Sequence, residues 1–332
     1  MMTTEFLSSC YRAMIDQDQA ILRTMSTIPK GEEQRLEDAR QVILTGAGDS
    51  LAVAEYGAWV MQEVGIHAIA ITPTVLNRLS LSPEDLVVGI TASGRSLSTI
   101  HALEHMTNQG IRPVVLTDDP EGNAASLTDI QWSTQAGVDT YNIIPTAPTT
   151  TAMGFLLGLV SRLDDRYNEG IRLFLDGLPS IMDWAESVGQ EIAQGISLQG
   201  VVCLLSEGAN LATAHIGAMK LNEGALVRGV VVLREEFEHH GNLPSRDEDF
   251  IILISDSPRM REDSQYMHVL TETLELTAYN QYLPEKFRIE TPAVQALANT
   301  IVMQMMGYYL ILEHNPEMEW FRMPNAKAFR IY

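Results

Sequence analysis

Apolar and polar positions alternate along the first half of the chain in a pattern typical of strands followed by helices. Short apolar runs predict buried strands at 41–45, 67–71, 86–90, 112–117 and 129–132. Between them, apolar residues recur at helical spacing, most clearly at 51–64, and a further helix is predicted at 152–163. This alternation predicts an α/β fold with a parallel sheet and helices on both of its faces.

The second half of the chain repeats this plan. Strands are predicted at 201–205, 229–233 and 250–254, with helices at 211–226, near 261–273 and at 293–313. The strand, turn and helix at 201–226 echo those at 42–64, about 160 residues earlier. We therefore expect two doubly wound, flavodoxin-like parallel-sheet domains related by duplication.

A charged and less apolar segment at 164–170 separates the two halves, and a helical pattern at 171–194 follows it. Residues 4–26 carry apolar residues at roughly helical spacing. The predicted organisation is an N-terminal helix (1–30), a first domain (31–165), a helical linker (166–195), a second domain (196–313) and a C-terminal tail (314–332).

The overall charge excludes several classes of partner. The formal net charge is −21 at pH 7, which repels nucleic acid and anionic membrane surfaces. The sequence has no apolar run of bilayer-spanning length, and its first residues lack the features of a signal peptide. We expect a cytoplasmic protein that binds neither nucleic acid nor membrane. Cys10 and Cys203 stand alone in the sequence, which indicates neither a disulfide framework nor a zinc site.

Four hydroxyl residues follow the predicted strand at 86–90. A buried strand that ends in such a turn before a helix leaves the first helical amides pointing at one spot. That arrangement suits a phosphate, and the alternative is an ordinary serine N-cap. The hydroxyl residues are Thr91, Ser93, Ser96 and Ser98, with Gly94 between them.

The turn after the first strand has glycines at positions 46 and 48, which resembles the start of a dinucleotide-binding fingerprint. Leu51 occupies the third glycine position, however, and this disfavours a nicotinamide cofactor. The same turn could instead place Gly48, Asp49 and Ser50 against a sugar. The alternative for Asp49 and Ser50 is helix capping alone.

Pro148 and the threonines after it form a helix-start signal. This helix follows the strand at 129–132, so the threonines should lie at the same end of the sheet as the two turns. We expect Thr149 and Thr150 to add hydroxyls and amides to the same site.

In the second half, a glutamate and a histidine could supply proton transfer. Glu223 lies on a predicted helix, and His239 lies in the polar segment 234–248. A carboxylate near an imidazole offers a base and an acid, which proton movement between adjacent carbons needs. The alternative for these two residues is a solvated acidic loop with incidental histidines. Lys327, in the C-terminal tail, is a third candidate, and the alternative for it is an ordinary exposed lysine.

These motifs resemble those of the tandem sugar isomerase (SIS) domain family across nearly the whole chain. The resemblance extends to the isomerase half of glucosamine-6-phosphate synthase, to glucosamine-6-phosphate deaminases and to fructosamine-6-phosphate deglycases. The matching segments are Gly48–Ser50, Thr91–Ser96, Pro148–Thr151, Met219–Glu223, Glu236–His239 and Ala326–Lys327. The first three are similar to segments that hold the sugar phosphate, and the others to segments carrying a catalytic Glu, a ring-opening His and a carbonyl-binding Lys.

The sequence departs from the family pattern at several positions. His240-Gly241 stands where the family has Gly-Pro, so His239 and His240 compete for the ring-opening role, and the register favours His239. Arg95 replaces an acidic residue and Thr151 replaces a lysine. These departures leave isomerase, deaminase and deglycase chemistry open.

The resemblance implies an enzyme that acts on a hexose or amino-sugar 6-phosphate without a metal or redox cofactor. The reaction would be aldose–ketose proton transfer with deamination, or deglycation of a fructosamine 6-phosphate. We expect no glutamine-dependent amination, because the synthase's glutaminase domain is not recognisable in this sequence. The resemblance also implies a homodimer. The alternative is a non-catalytic sugar-phosphate-binding regulator, against which the presence of Glu223, His239 and Lys327 argues.

Overall fold

The computed structural model describes residues 4–141, 143–144, 146–256, 260–320, 329 and 331. Their strands are β1 (Val42–Thr45), β2 (Ala68–Ile71), β3 (Leu86–Ile90), β4 (Val114–Thr117), β5 (Gln131–Ser133), β6 (Val202–Ser206), β7 (Gly229–Leu233), β8 (Phe250–Ile254) and β9 (Thr277–Gln281). Their α-helices are α1 (Glu5–Ile15), α2 (Gln17–Ser26), α3 (Glu33–Asp38), α4 (Asp49–Glu63), α5 (Pro73–Leu76), α6 (Leu97–Asn108), α7 (Ala147–Val160), α8 (Asn168–Gly195), α9 (Asn210–Lys220), α10 (Arg234–Glu236), α11 (Met260–His268) and α12 (Pro292–His314).

Single π-helical turns extend three of these helices. They are Leu221–Ala225 after α9, Phe237–Gly241 after α10 and Val269–Thr273 after α11. Turns of this kind are rare and occur often at functional sites. Two of the three contain candidate catalytic residues, Glu223 and His239.

The chain forms two compact units. We call Asp16–Asn168 with Arg322–Tyr332 the first unit, and Met1–Ile15 with Glu169–Phe321 the second unit. The predicted N-terminal helix is therefore two helices, since α1 belongs to the second unit and α2 to the first. The domain boundaries expected from the sequence stay a prediction.

The first unit contains a five-stranded parallel sheet with the order β2-β1-β3-β4-β5. Helix α6 covers one face, where Ile100 and Leu103 pack with Ile43 and Val87. On the other face, α4 comes close because position 57 is glycine. A Cβ atom there would lie 2.6 Å from a methyl carbon of Leu156 and 2.8 Å from one of Leu44.

The second unit contains a four-stranded parallel sheet with the order β7-β6-β8-β9. The predicted α/β class is thus confirmed, with two parallel sheets. Counted within each unit, the order of these four strands equals that of β1 to β4 in the first sheet. A duplication would produce this equality, and the duplication itself stays a prediction.

The sequence missed the edge strand β9. Its residues are Thr-Ala-Tyr-Asn-Gln, and only Gln281 is fully buried. β9 lies at the edge of its sheet and pairs with β8 alone, so its other side is exposed and few of its residues are fully buried. Such a segment lacks the continuous apolar run that identified the central strands.

Two further observations concern the buried residues and the helices. Cys10 and Cys203 are both buried free thiols.

No helix within the described ranges is both long enough and apolar enough to cross a membrane.

Candidate functional site

The first sheet has a topological switch point between β1 and β3. The chain passes from β1 to β2 on one side and then returns to β3 on the other side of β1. In open α/β sheets, ligands bind at the carboxyl ends of the strands where the order reverses in this way. The turn at 46–50 follows β1 and the loop at 91–96 follows β3, so both predicted binding segments lie at this edge.

Glycine shapes the turn after β1. Gly48 has φ +59° and ψ −132°, a conformation open only to glycine, and begins α4 as its N-cap. At Gly46 a Cβ atom would come within 2.7 Å of Ser50. Asp49, on the first turn of α4, accepts a hydrogen bond from Thr149 Oγ1 at 3.0 Å. The structure therefore brings together two predicted site residues from distant parts of the sequence.

The loop after β3 is anchored to its neighbours through main-chain atoms. The Ala92 carbonyl accepts hydrogen bonds from the Asp118 amide at 3.0 Å and from Thr117 Oγ1 at 3.1 Å. Gly94 has φ +64°, and its carbonyl accepts from the Ala124 amide at 3.1 Å. A loop held in this way can present amides and hydroxyls in a fixed arrangement.

The hydroxyl groups of this loop differ in exposure. Thr91 is buried, whereas Ser93 and Ser96 are half-buried. Ser96 is the N-cap of α6, and its Oγ accepts a hydrogen bond from Thr99 Oγ1 at 3.2 Å. Ser93 and Ser96 are thus the hydroxyls of the loop that a ligand could reach.

The end of the chain reaches the start of α6. The amide of Leu97, the first residue of that helix, donates to the Ile331 carbonyl at 3.1 Å. This contact lies within the first unit. Lys327, the predicted tail residue, lies outside the described residues.

Thr150 is placed differently from Thr149. Its side chain is fully buried and Oγ1 donates to Gln17 Oε1 on α2 at 2.8 Å. A ligand could take this hydroxyl only if the bond to Gln17 were broken. The structural role of Thr150 is therefore to join α7 to α2.

Sequence reasoning missed Asp118, which follows β4 and organises this edge of the sheet. Its carboxylate accepts from Thr134 Oγ1 at 2.9 Å, the Gly137 amide at 2.7 Å and the Tyr141 hydroxyl at 3.1 Å. Burial and the nearby Asp118 carboxylate raise the pKa of Tyr141. The available signal was an aspartate directly after a buried strand, but its partners come from elsewhere in the chain.

In the second unit, Glu223 lies on the π-helical turn after α9 and its side chain is 25% exposed. Lys220 Nζ donates to Glu223 Oε2 at 3.1 Å, and the lysine side chain is only 1% exposed. Asn222 closes the turn, since its side chain bonds both the amide and the carbonyl of Gly229. The lysine and the closed turn together orient the Glu223 carboxylate.

The two candidate histidines lie on the π-helical turn at 237–241. The side chain of His239 is 71% exposed, with Nε2 4.0 Å from Glu235 Oε1. His240 Nε2 lies 2.9 Å from Glu236 Oε2. His240 therefore forms a hydrogen bond with the Glu236 carboxylate, whereas the Glu235 carboxylate is too far from His239 for one.

The predicted residues fall into two groups, one in each unit. The phosphate-loop residues and the turn after β1 belong to the first unit, and Glu223 and His239 belong to the second. Within the described ranges, no group of three or more His, Cys, Asp or Glu residues has an arrangement that could hold a metal ion.

Comparison with protein families identifies a known domain in the first half of the chain. The model of the SIS domain matches residues 35–160. This range contains β1 to β5, the turn at 46–50 and the loop at 91–96.

Comparison with individual proteins points the same way. A glutamine–fructose-6-phosphate aminotransferase [isomerizing] of Sulfurisphaera tokodaii is 22% identical over 76% of this chain and 42% of its own length. The chain thus spans less than half the length of this relative. Among solved structures, the C-terminal domain of glucosamine-fructose-6-phosphate aminotransferase from Francisella tularensis superposes with a TM-score of 0.77 at 14% identity, covering 95% of this chain and 98% of that one.

A second structure with the same fold is the glucosamine-6-phosphate deaminase from Thermotoga maritima. Its TM-score is 0.72 at 17% identity, and the match covers 92% of this chain and 95% of the other. At these identities the structures establish the fold, and the family model matches residues 35–160. The resemblance to the SIS domain family predicted from the sequence is therefore confirmed.

Proposed function

We propose that this protein is a sugar-phosphate isomerase-type enzyme that acts on a hexose or amino-sugar 6-phosphate. It would move a proton between C1 and C2, with deamination of an amino sugar or with deglycation of a fructosamine 6-phosphate. The observation that carries the proposal is the hydroxyl-rich loop at 91–96, anchored at the switch point between β1 and β3. The names of these relatives, which concern fructose 6-phosphate and glucosamine 6-phosphate, support the same ligand class.

In this proposal the loop after β3 binds the phosphate group. Ser93, Ser96 and the amides at the start of α6 donate hydrogen bonds, and Thr91 and Gly94 fix the path of the chain. Backbone amides create a local positive potential even in a protein of high negative charge. Gly48, Asp49 and Ser50 would face the sugar, and Thr149 would hold Asp49 in place. Thr150, through its bond to Gln17, would hold α7 and with it Thr149 in place.

Glu223 is the proposed carbon base. A base must be positioned within hydrogen-bond reach of the proton it removes. The bond from Lys220 and the closed turn around Asn222 fix the carboxylate in place. A carboxylate that removes the proton from one carbon can return it to the adjacent carbon without changing its own position.

His239 is proposed to help open the sugar ring, and Lys327 to engage the open-chain carbonyl. Replacing His239 with alanine should slow turnover of the ring form by about 10²-fold, the lower end of general acid–base contributions. An open-chain analogue should recover much of this loss because it bypasses ring opening. His240→Ala is the matched control and should change the rate less. Equal losses in both variants, or no rescue by the analogue, would contradict the assignment.

We also propose a homodimer whose partner completes the site through the exposed His239. Mixing Glu223→Gln and His239→Ala chains by co-expression tests this directly. In a random mixture, half of the dimers contain one chain of each variant. If Glu223 and His239 of one site come from different subunits, each such dimer has one intact site and one site that lacks both residues. Activity should then return to roughly a quarter of the wild-type value. A monomer by light scattering, or a mixed preparation as inactive as its parents, would count against the shared site.

The reaction itself can be tested by a substrate panel. Purified protein would be offered hexose 6-phosphates, amino-sugar 6-phosphates and glycated amino-acid 6-phosphates, with ammonia, free amine and ketose as readouts. Release of ammonia identifies a deaminase, and release of an amino acid identifies a deglycase. Binding of a sugar phosphate without turnover or proton exchange would favour a regulator, and absence of binding would refute the proposal.

A further inference from the structure

The second sheet has its own switch point, between β6 and β8, and a small cavity lies there. The chain passes from β6 to β7 on one side and returns to β8 on the other. The cavity has a volume of about 10 Å³, close to the room that one water-sized occupant needs. Its polar lining residues are Ser206, Glu207, Arg234, Ser255, Asp256 and Asp263.

Asp263 is the most deeply buried charge in this lining, at 2% exposure. Arg234 Nη1 donates to its Oδ1 at 2.6 Å, whereas Oδ2 has no hydrogen-bond partner among the residues that the structure describes. A buried carboxylate oxygen without a donor costs free energy, because water or another donor would otherwise bond to it. The cavity therefore offers a place for a donor that the described chain does not supply.

Arg234 does not donate a hydrogen bond to Asp263 Oδ2, and two contacts fix the position of its guanidinium. Its guanidinium lies 4.4 Å from the ring centroid of Tyr266, which favours a cation there. With one side on Tyr266 and one nitrogen on Asp263 Oδ1, it is fixed between two partners.

Asp256 is also held in place, by a chain of buried amides. Asn210 Nδ2 donates to Asp256 Oδ1 at 2.7 Å, and Asn299 Nδ2 donates to Asn210 Oδ1 at 3.0 Å. Gln281 Nε2 donates to Asn299 Oδ1 at 3.1 Å. Buried networks of this kind fix the groups at their ends. The carboxylate of Asp256 thus has a fixed position beside the cavity.

The two serines contribute acceptors rather than donors. Ser206 Oγ donates its only proton to the Ile254 carbonyl at 3.1 Å, and Ser255 Oγ donates to Asn280 Oδ1 at 3.3 Å. A hydroxyl whose proton is used keeps its lone pairs as acceptors. The hydroxyls therefore suit an occupant that donates hydrogen bonds.

The charges that line the cavity determine which kind of hydrogen-bond donor can occupy it. Three carboxylates and one guanidinium line the cavity, which leaves an excess of negative charge. In the first sheet the loop at 91–96 after β3 contains hydroxyl residues and no carboxylate, whereas Asp256 follows the corresponding strand β8 in the second sheet. Such surroundings disfavour an anion and favour a cation. The described carboxylates do not form a group that could hold a metal ion.

We propose that this cavity binds an ammonium group, either the ammonium ion or the amino end of a small amine. The group would donate to Asp263 Oδ2 and lie near the Asp256 carboxylate and the two serine oxygens. A tetrahedral cation of this size fits both the acceptors and the small volume. The site lies wholly in the second unit, and its existence does not depend on the proposed sugar-phosphate chemistry.

Calorimetry on the full-length protein at constant ionic strength tests the proposal. Ammonium chloride and methylammonium chloride should each give saturable binding, and the tighter of the two shows whether the cavity favours the free ion or the amino end of a small amine. Tetramethylammonium chloride has the charge but no N–H donor and should give none. Asp263→Asn should weaken binding at least 10-fold, whereas Glu262→Gln, an exposed carboxylate on the same helix, should leave it unchanged.

If Asp263→Asn fails to fold, Asp256→Asn provides the second variant, since it keeps the Arg234–Asp263 pair and removes one charge from the lining. The wild-type ligand series needs no variant at all. Absence of saturable ammonium binding would show that the cavity holds water only, and would overturn the proposal. Equal binding of tetramethylammonium, or wild-type affinity in a folded Asp263→Asn protein, would also overturn it.

Discussion

Replacing Glu223 with glutamine is expected to lower turnover of the sugar-phosphate substrate by about 10²–10⁴-fold, the range of general base catalysis. Glutamine keeps the shape of the side chain and can still accept from Lys220, but it cannot take a proton. Substrate binding should change little, because the loop proposed to bind the phosphate lies in the first unit. Exchange of the C1 or C2 proton with deuterated solvent, followed by NMR, measures the missing step directly.

The matched control is Glu272→Gln. Glu272 is an exposed glutamate that also lies on a π-helical turn of the second unit. This variant should retain wild-type exchange, which separates loss of the base from a general loss of charge. Wild-type exchange in Glu223→Gln would refute the assignment. Absence of exchange in the wild-type protein, with substrate bound, would instead favour a regulator.

The central strands could be predicted because their burial is visible in the sequence. The runs at 86–90 and 250–254 coincide with β3 and β8, whose residues are all buried, since strands buried on both faces are continuously apolar. The break between α1 and α2 could not be predicted in the same way. Both helices are amphipathic, and only their packing reveals that they belong to different units.

The candidate site was predictable where local sequence determines local geometry. A hydroxyl-rich loop after a buried strand, and glycines in the turn after β1, have recognisable signatures. The partners of these residues were not predictable, because they are distant in sequence. Nothing near Thr149 indicated its bond to Asp49, and nothing near Thr150 indicated its bond to Gln17.

The acidic cavity of the second unit is the clearest example of this limit. Arg234 and Asp263 are 29 positions apart, and Asn210 and Asp256 are 46 positions apart. Each residue alone reads as an ordinary polar position outside the strands. Only the order of β6 and β8 places them at one edge of the sheet.

The double replacement Ser93→Ala and Ser96→Ala should weaken binding of glucosamine 6-phosphate or fructose 6-phosphate and leave the fold intact. Each lost hydrogen bond to a charged phosphate is worth about 1.5–3 kcal/mol, so the dissociation constant should rise by roughly 10²–10⁴-fold if the losses add. Both serines are half-buried at the loop surface, so their removal leaves no cavity in the core. Calorimetry measures the affinity, and circular dichroism checks the fold.

The serines should carry more of this affinity than the first amide of α6. The Leu97 amide already donates to the Ile331 carbonyl, so a phosphate that takes this amide exchanges one hydrogen bond for another and gains less. Ser26→Ala with Ser126→Ala is the matched control, because both are exposed serines of the first unit that bond local carbonyls. That control should bind sugar phosphate as the wild-type protein does. Unchanged affinity in the Ser93→Ala and Ser96→Ala protein would remove the loop after β3 from the site, whatever the outcome at Glu223.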